Sequence, residues 1–422
     1  MKTRLKSGIL YYVVFILFII WIICLGILLA FKLNSFVYIH NALTDNLNSD
    51  LHSAINIVCK NPGLINNKDS VSIDFFKDSL SKIKFTGKNW GIFQTLKINV
   101  FRKRENLSET FLMGTDINVK EPISLYMADE KKYLSICGNT HLAGNCYLPE
   151  LGIKRGYVEG STYRGSTMVF GVIKISKPEL PEVNKSVIGY LKSVLKEFKP
   201  DSTIQIRNIK EFFYRDKHNN SFNKPTIAYV SFKPILVDEK IIKGNFIICS
   251  SKLIKVTKNC LLSDLLLFAP KIIIADDFQG QVQVFATDTI IVGKKCNLQF
   301  PSVIGLVNEN VNNIVLRIGE KTRVDGVVLL WQQTKAQLRP ELTLGKETEI
   351  FGQVYCNGTV KMYGNIFGSL YCRNFMLETL SAIYENHLLN TQIDRTKLPK
   401  HYLGVSIADS GKNQVGVIKI LR

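Results

Sequence analysis

The residues best equipped for chemistry are an adjacent acid pair, Asp276-Asp277, in the segment IIIADDFQG. Two carboxylates can share acid and base work in glycoside cleavage, provided they converge across a groove at about 5–9.5 Å. Neighbours in sequence fail that condition, because on a strand they point to opposite faces and otherwise they share a turn. Asp commonly satisfies backbone groups in turns, and Gly280 follows closely. The turn role outweighs catalysis here. The Gly-His-Gly and Arg-Ile-Lys signatures of polygalacturonase-like enzymes are missing. The six histidines (His40, His52, His141, His218, His387, His401) are scattered, and none has metal-ligand or triad spacing. His141 reads as solvent-facing.

Nine cysteines include no CxxC pair and no Cys/His zinc spacing. Cys137 with Cys146 and Cys249 with Cys260 are the pairs an oxidising compartment would allow. Cys146, Cys356 and Cys372 occupy apolar positions of a repeat and read as small buried hydrophobes. Tyr147, Tyr355 and Tyr371 hold equivalent positions of the same repeat, pointing outward, and are the candidate glycan or partner contacts. No enzyme, cofactor or metal is expected from these side chains.

That repeat is the element that must position them. It reads LSICGNTHLAGNCYL at Leu134–Leu148, LRIGEKTRVDGVVLL at Leu316–Leu330 and LTLGKETEIFGQVYC at Leu342–Cys356. Thr140, Thr322 and Thr348 align without gaps, as do Gly144, Gly326 and Gly352. IFGQVYC at Ile350–Cys356 is echoed by IFGSLYC at Ile366–Cys372. Apolar residues at i and i+2 share one face of a strand, and glycines between them let the chain bend into the next strand. One such coil cannot bury its inner face, but stacked coils can, with Cys356 over Cys372 and Val354 over Leu370. The expected fold is mainly β: a right-handed parallel β-helix with an N-terminal transmembrane helix and an inserted α+β segment.

Ile9–Phe31 is uncharged and rich in Ile, Leu and Phe, long enough to span a hydrocarbon core of roughly 30 Å. Lys2, Arg4 and Lys6 precede it and only Lys32 follows closely, which places the N-terminus in the cytoplasm. No small-x-small cleavage site follows Phe31, so the segment reads as a retained anchor rather than a signal peptide. The formal charge of +19 suits an anionic envelope polymer, but the lysines are spread along the chain and no nucleic-acid motif is present.

The expected organisation is 1–33 as cytoplasmic tip and anchor, then 34–132 as a membrane-proximal helix and small α+β region. In the latter, Asn34–Lys60 is helical up to Asn61-Pro62-Gly63, Asp74–Lys84 forms a short helix and Thr95–Arg102 a strand. Residues 133–176 supply first coils, with glycine-spaced narrow coils at Gly152–Gly171. Residues 177–240 form an α+β insertion with a helix over Pro181–Phe198. Residues 241–380 form the main stack, interrupted by a loop at Trp331–Pro340, and 381–422 form a cap, at Ser381–Tyr402, and a tail.

The G-x-[VIL]-x-apolar units, Gly280, Gly326, Gly352 and Gly368 with Val282, Val328, Val354 and Leu370, resemble the bactofilins over roughly a third of the chain. That resemblance implies a β-helix of short three-strand coils in a polymer-forming protein. Bactofilin-type proteins are small and cytoplasmic-facing and carry no large insertion, unlike this chain. A basic start, one long apolar helix and an amphipathic continuation also resemble membrane-anchored components of type IV pilus-like systems. Their processing pattern is missing, since Gly8 is followed by Ile-Leu-Tyr-Tyr. Hexads at Val354, Val360, Ile366 and Cys372 echo left-handed acyltransferase helices, but over too short a run. The expected function is a non-enzymatic, single-pass envelope scaffold or assembly component of a bacterial inner membrane, its bulk in the periplasm. Self-association, envelope proteins and an anionic polymer are its expected partners. A glycan-binding module is the alternative, and a polysaccharide lyase or hydrolase the lesser one.

Overall fold

A computed structural model describes residues 7–64, 71–73, 81–102, 105–117, 122–309, 314–333, 339–407 and 414–422. The protein is mainly β, with a long N-terminal apolar helix and a large parallel sheet. The basic tip Lys2, Arg4 and Lys6, the middle of the expected loop at 331–340 and most of the expected helix at 74–84 lie outside the described residues.

The expected anchor and its continuation form one helix, Ser7–Lys60, of 54 residues. It stops where Pro62 removes a backbone donor and restricts the residue before it. By length and composition it can cross a membrane, and its apolar half is bare of protein contacts. The stripe of apolar residues becomes buried only near the C-terminal end, through Leu47, Leu51, Ala54 and Val58. Ile39 remains exposed. The buried residues pack on Ile83, Phe85, Leu96, Ile98, Val100 and Phe111 of an antiparallel sheet. Burying one aliphatic side chain of this size contributes about 1.5–3 kcal/mol. Asp50, buried on the same helix face, accepts from Arg102 Nη1 at 3.2 Å and so pins helix to sheet.

That sheet is a meander of Ser81–Trp90, Phe93–Arg102 and Glu105–Asp116, with Val71–Ile73 on one edge. Residues 81–84, expected at a helix end, are therefore strand. The chain's far end completes the sheet: Leu403–Gly404 and Val415–Leu421 both pair antiparallel with Glu105–Asp116. The C-terminus is thus part of the helix-bearing sheet rather than a free tail.

Most of the remaining strands pair in parallel, in three ladders interrupted by occasional register shifts. One runs Leu316, Leu342, Val360, Phe375. A second runs Val324, Ile350, Ile366, Ile393, Leu142. The third runs Val328, Val354, Leu370, Leu125, Cys146. All point into one shared core. At the bend between the second and third ladders stand Gly326, Gly352 and Gly368, paired with one another. A Cβ on Gly352 would collide with the Gly326 carbonyl oxygen, so only glycine fits. At the other bend, Thr322 Oγ1 donates to Gly293 O and Thr348 Oγ1 to Gly319 O, each at 2.8 Å, tying layer to layer.

The ladders correct the expected chain order. Residues 123–175 join the same stack, but beyond Asn365–Glu378 and Gln392–Asp394 rather than ahead of residue 241. The expected cap at 381–402 is therefore partly an inner layer: His387–Leu389 pairs with Leu134–Cys137, and Gln392–Asp394 with His141–Ala143. The expected α+β insertion is mostly the opposite end of the stack. Ile204–Arg207 pairs with Thr226–Ser231, and Lys217–Asn220 with Ile241–Gly244. The helix Lys185–Lys196, with residues 177–183 before it, is external, a return connection capped by Asn184 Oδ1 accepting from Ser186 N. Its Ile188 and Leu191 lie buried on the outside of the third ladder.

Each end of the core is plugged. Phe212, on the short helix Ile209–Tyr214, is wholly buried against His218 and Tyr229, which in turn pack on Phe246. At the opposite end the glycine-rich segment makes one parallel strand, Ile153–Arg155, and then a small antiparallel hairpin, Tyr157–Val158 with Ser161–Thr162. Tyr163 and Val169 beyond it enter the core.

Candidate functional site

Asp276 and Asp277 sit at an exposed turn. Asp276 Oδ1 accepts from Lys294 N at 2.8 Å, and Asp277 N donates to Lys294 O at 2.9 Å. Asp277 has φ 61°, and the residues below it repeat that conformation: Lys295 at 54°, Lys321 at 57° and Glu347 at 56°. The column is held by alternating charge, with Lys294 Nζ 3.0 Å from Glu320 Oε2. That cation, by hydrogen bond and charge, holds the Glu320 carboxyl below its usual range. The two aspartates are corner residues facing lysines, and no groove brings them together.

The tyrosines stand in one column, as their register requires, but under cover rather than outward to solvent. Tyr355 lies tilted against Tyr371 at 6.1 Å, while Tyr371 stacks on Tyr126 at 6.1 Å and Tyr126 on Tyr147 at 5.4 Å. Residues 177–183 cross over them: Tyr355 Oη donates to Pro181 O at 3.1 Å, and Lys177 N donates to Tyr126 Oη at 3.0 Å. Tyr355 is 3% exposed. Burial pushes the Tyr371 phenol up to about 12. Tyr147, at the end of the column, is partly buried with Lys174 Nζ 5.8 Å from its ring centre.

All nine cysteines are free, so neither suggested pair is a disulfide. Burial pushes the Cys146, Cys249 and Cys356 thiols up to about 12. His141 is half-buried rather than solvent-facing, its ring 4.9 Å from that of Phe170 and its Nε2 4.0 Å from Asp394 Oδ2. No group of three His, Cys, Asp or Glu side chains is placed to hold a metal among the described residues.

Two glutamines that the sequence reading passed over do more than the acids. Gln283 accepts from Ile92 N at 3.2 Å and donates to Trp90 O at 3.1 Å. Gln353 accepts from Val405 N at 2.8 Å and donates to Val405 O at 3.0 Å. Each primary amide takes the place of a strand partner, and each is 5% exposed. They clamp the helix-bearing sheet, at its Trp90–Ile92 turn, and the segment leading to its last strand onto the outside of the third ladder. Their partners lie far away in sequence, so no local signal announces them.

A crevice of about 390 Å³ opens where that segment leaves the second ladder. Its walls include Phe300, Phe351, Leu398, Leu403, Val417 and Ile418. Tyr402 closes the floor, its ring 5.2 Å from Phe300 and its Oη donating to Gly326 O at 3.0 Å. Burial pushes that phenol well up. At the rim Arg323 lies over Phe351, with Cζ 4.2 Å from the ring centre, and its Nε donates to Asp325 Oδ1 at 3.0 Å. Below, Phe367 packs at a tilt against Phe351, with ring centres 4.8 Å apart, and is covered by Lys397 Nζ at 4.5 Å. The sequence did carry a sign of this column, the Ile-Phe-Gly shared by IFGQVYC and IFGSLYC. No family model, curated protein or solved structure matches this chain.

Proposed function

We propose that the protein is a non-enzymatic, membrane-anchored scaffold or assembly component of a cell envelope, built on a right-handed parallel β-helix of three-strand coils. The observation that carries the reading is the mechanical continuity of the chain. An apolar helix runs without a break into the core of the antiparallel sheet, and that sheet is clamped to the parallel ladders through Gln283 and Gln353. A flexible tether would suffice for an enzyme or a binding module; an anchor built into the fold suits a part that holds position or transmits force. The bare apolar half with a packed second half also keeps the type IV pilus-like reading in play, with the N-terminus inside and the bulk outside the cytoplasm.

Contact with further copies or envelope proteins falls to the ends of the stack. Ile206, Phe213, Tyr214 and Phe232 are exposed at one end, and Phe170, Val172, Ile173 and Ile175 at the other. The plugs leave only edge strands to make such contacts, an arrangement that favours short-range assembly over a continuous shared core. Photo-crosslinkers at Tyr214 and Ile175 of the full chain, activated in native membranes, are expected to give discrete adducts. Recovery of nothing but the 47.8 kDa chain from both positions would sink the scaffold reading.

A further inference from the structure

We propose that the crevice beside Tyr402 binds an amphipathic monocarboxylate, its carboxylate on Arg323 and its apolar body against Phe300, Leu403 and Val417. This inference does not depend on the scaffold reading. Arg323 is pre-set for the task. Its guanidinium rests on the Phe351 ring, and both contacts with Asp325, at 3.0 and 3.2 Å, use Nε alone. Both Nη groups are without a protein partner among the described residues, and the side chain is 49% exposed at the rim. A planar fork held by stacking and by one fixed N–H is suited to bidentate pairing with a carboxylate.

The remaining walls decide what the rest of the ligand is. Tyr402 already spends its hydroxyl proton on Gly326 O, and away from the Arg323–Asp325 rim the exposed His401 is the one other polar side chain of the lining, Leu398, Pro399, Leu403, Val417 and Ile418 being apolar. A sugar or nucleoside buried there would leave its hydroxyls unpaired, at a cost an alkyl or aryl group does not meet. Asp325 offsets part of the Arg323 charge, which suits a single negative charge better than a phosphate dianion. A cavity of about 390 Å³ lies in the size range of small-ligand pockets, roughly 300–1,000 Å³.

The test uses the full chain in lipid nanodiscs, titrated calorimetrically with octanoate, octanol, acetate and octyl phosphate, with empty discs as the partition reference. Saturable octanoate binding is expected, with acetate and octyl phosphate weaker. Arg323→Ala and Arg323→Lys should each weaken octanoate about tenfold or more while changing octanol less than about twofold, the loss of one charge-assisted bidentate pair. Val417→Trp, which fills the crevice, should remove both ligands. Arg323 is a rim residue, so an unchanged melting temperature is expected and shows that the two Arg323 variants are folded. Octanoate binding no greater than to empty discs, binding indifferent to both Arg323 variants, or acetate binding equal to octanoate would each overturn the proposal.

Discussion

Two columns of aromatic rings cross the layers of this molecule, and they meet opposite fates. Tyr355, Tyr371, Tyr126 and Tyr147 run along the outside of the third ladder, while Phe351 and Phe367 run along the outside of the second. Both columns arise for the same reason: in-register parallel pairing places each repeat's ring over the next at close to the spacing of neighbouring strands, about 4.8 Å. What separates them is the non-repeating chain that lies across each. Residues 177–183 seal the tyrosines and accept or donate at their hydroxyls. Residues 395–403 cover Phe367 but swing away before Phe351, leaving a crevice with a cation at its rim. Repetition makes columns, and the connections decide which of them meets solvent.

The change that should break both columns together is Gly352→Val. Gly352 stands between them, at the bend shared by Phe351 and Gln353, with φ 148° and the Gly326 carbonyl where a Cβ would go. Overpacking against backbone here has no flexible neighbour to absorb it, and a loss beyond about 4 kcal/mol is expected. Circular dichroism and protease resistance of the purified chain check this; a resistant, fully folded variant would show that the glycine column is dispensable. Tyr355→Ala comes next. It removes a buried ring and its hydrogen bond to Pro181 O, costing about 3–5 kcal/mol, and it should loosen residues 177–183. Denaturant titration measures the first effect and hydrogen exchange of that segment the second. Tyr355→Phe isolates the hydroxyl at about 0.5–1.5 kcal/mol.

Gln353→Leu tests what holds the covering segments in place. It keeps the side-chain volume but strands the Val405 N–H and carbonyl, with an expected loss of about 1–3 kcal/mol and faster exchange at Val405. An unchanged exchange rate there would mean the clamp is ornamental and that the apolar contacts of Val405 and Ile407 alone seat the segment.

The repeat and the long apolar helix with its continuation were legible in sequence because each rests on local periodicity. The i, i+2 apolar pairs at Leu342 and Leu344, the Thr348 corner and the Gly352 bend are complete within one phrase. Layer order was not legible. Residues 123–148 carry the same phrase whether they precede residue 241 or lie beyond residue 394, and nothing in Leu125 says that its neighbour is Leu370. The first layers, Ile204–Arg207 and Thr226–Ser231, could be read as strands but not as layers of the stack, because they lack the glycine-and-threonine corner. The crevice was half legible: its Phe351 is in the repeat, but Arg323, Tyr402 and Val417 meet only through pairings between distant strands. Outward direction was read correctly for the tyrosines, yet outward is not the same as exposed.

The smallest expected effect is the most discriminating. Phe351 is half-buried and stacked between Arg323 and Phe367, so Phe351→Ala should cost only about 1 kcal/mol, well below Tyr355→Ala. If the columns differ only in cover, the penalty should fall on the rim instead of the core. Without the ring beneath it the guanidinium loses a cation–π contact of about 0.5–1 kcal/mol and is held by Asp325 alone. Its fork then samples many orientations. Octanoate binding at the Arg323 fork should weaken about two- to fivefold, the loss of that contact, while the denaturation midpoint moves little. A midpoint loss equal to that of Tyr355→Ala would instead make Phe351 a core residue in all but location, and the two columns would differ in appearance rather than in role.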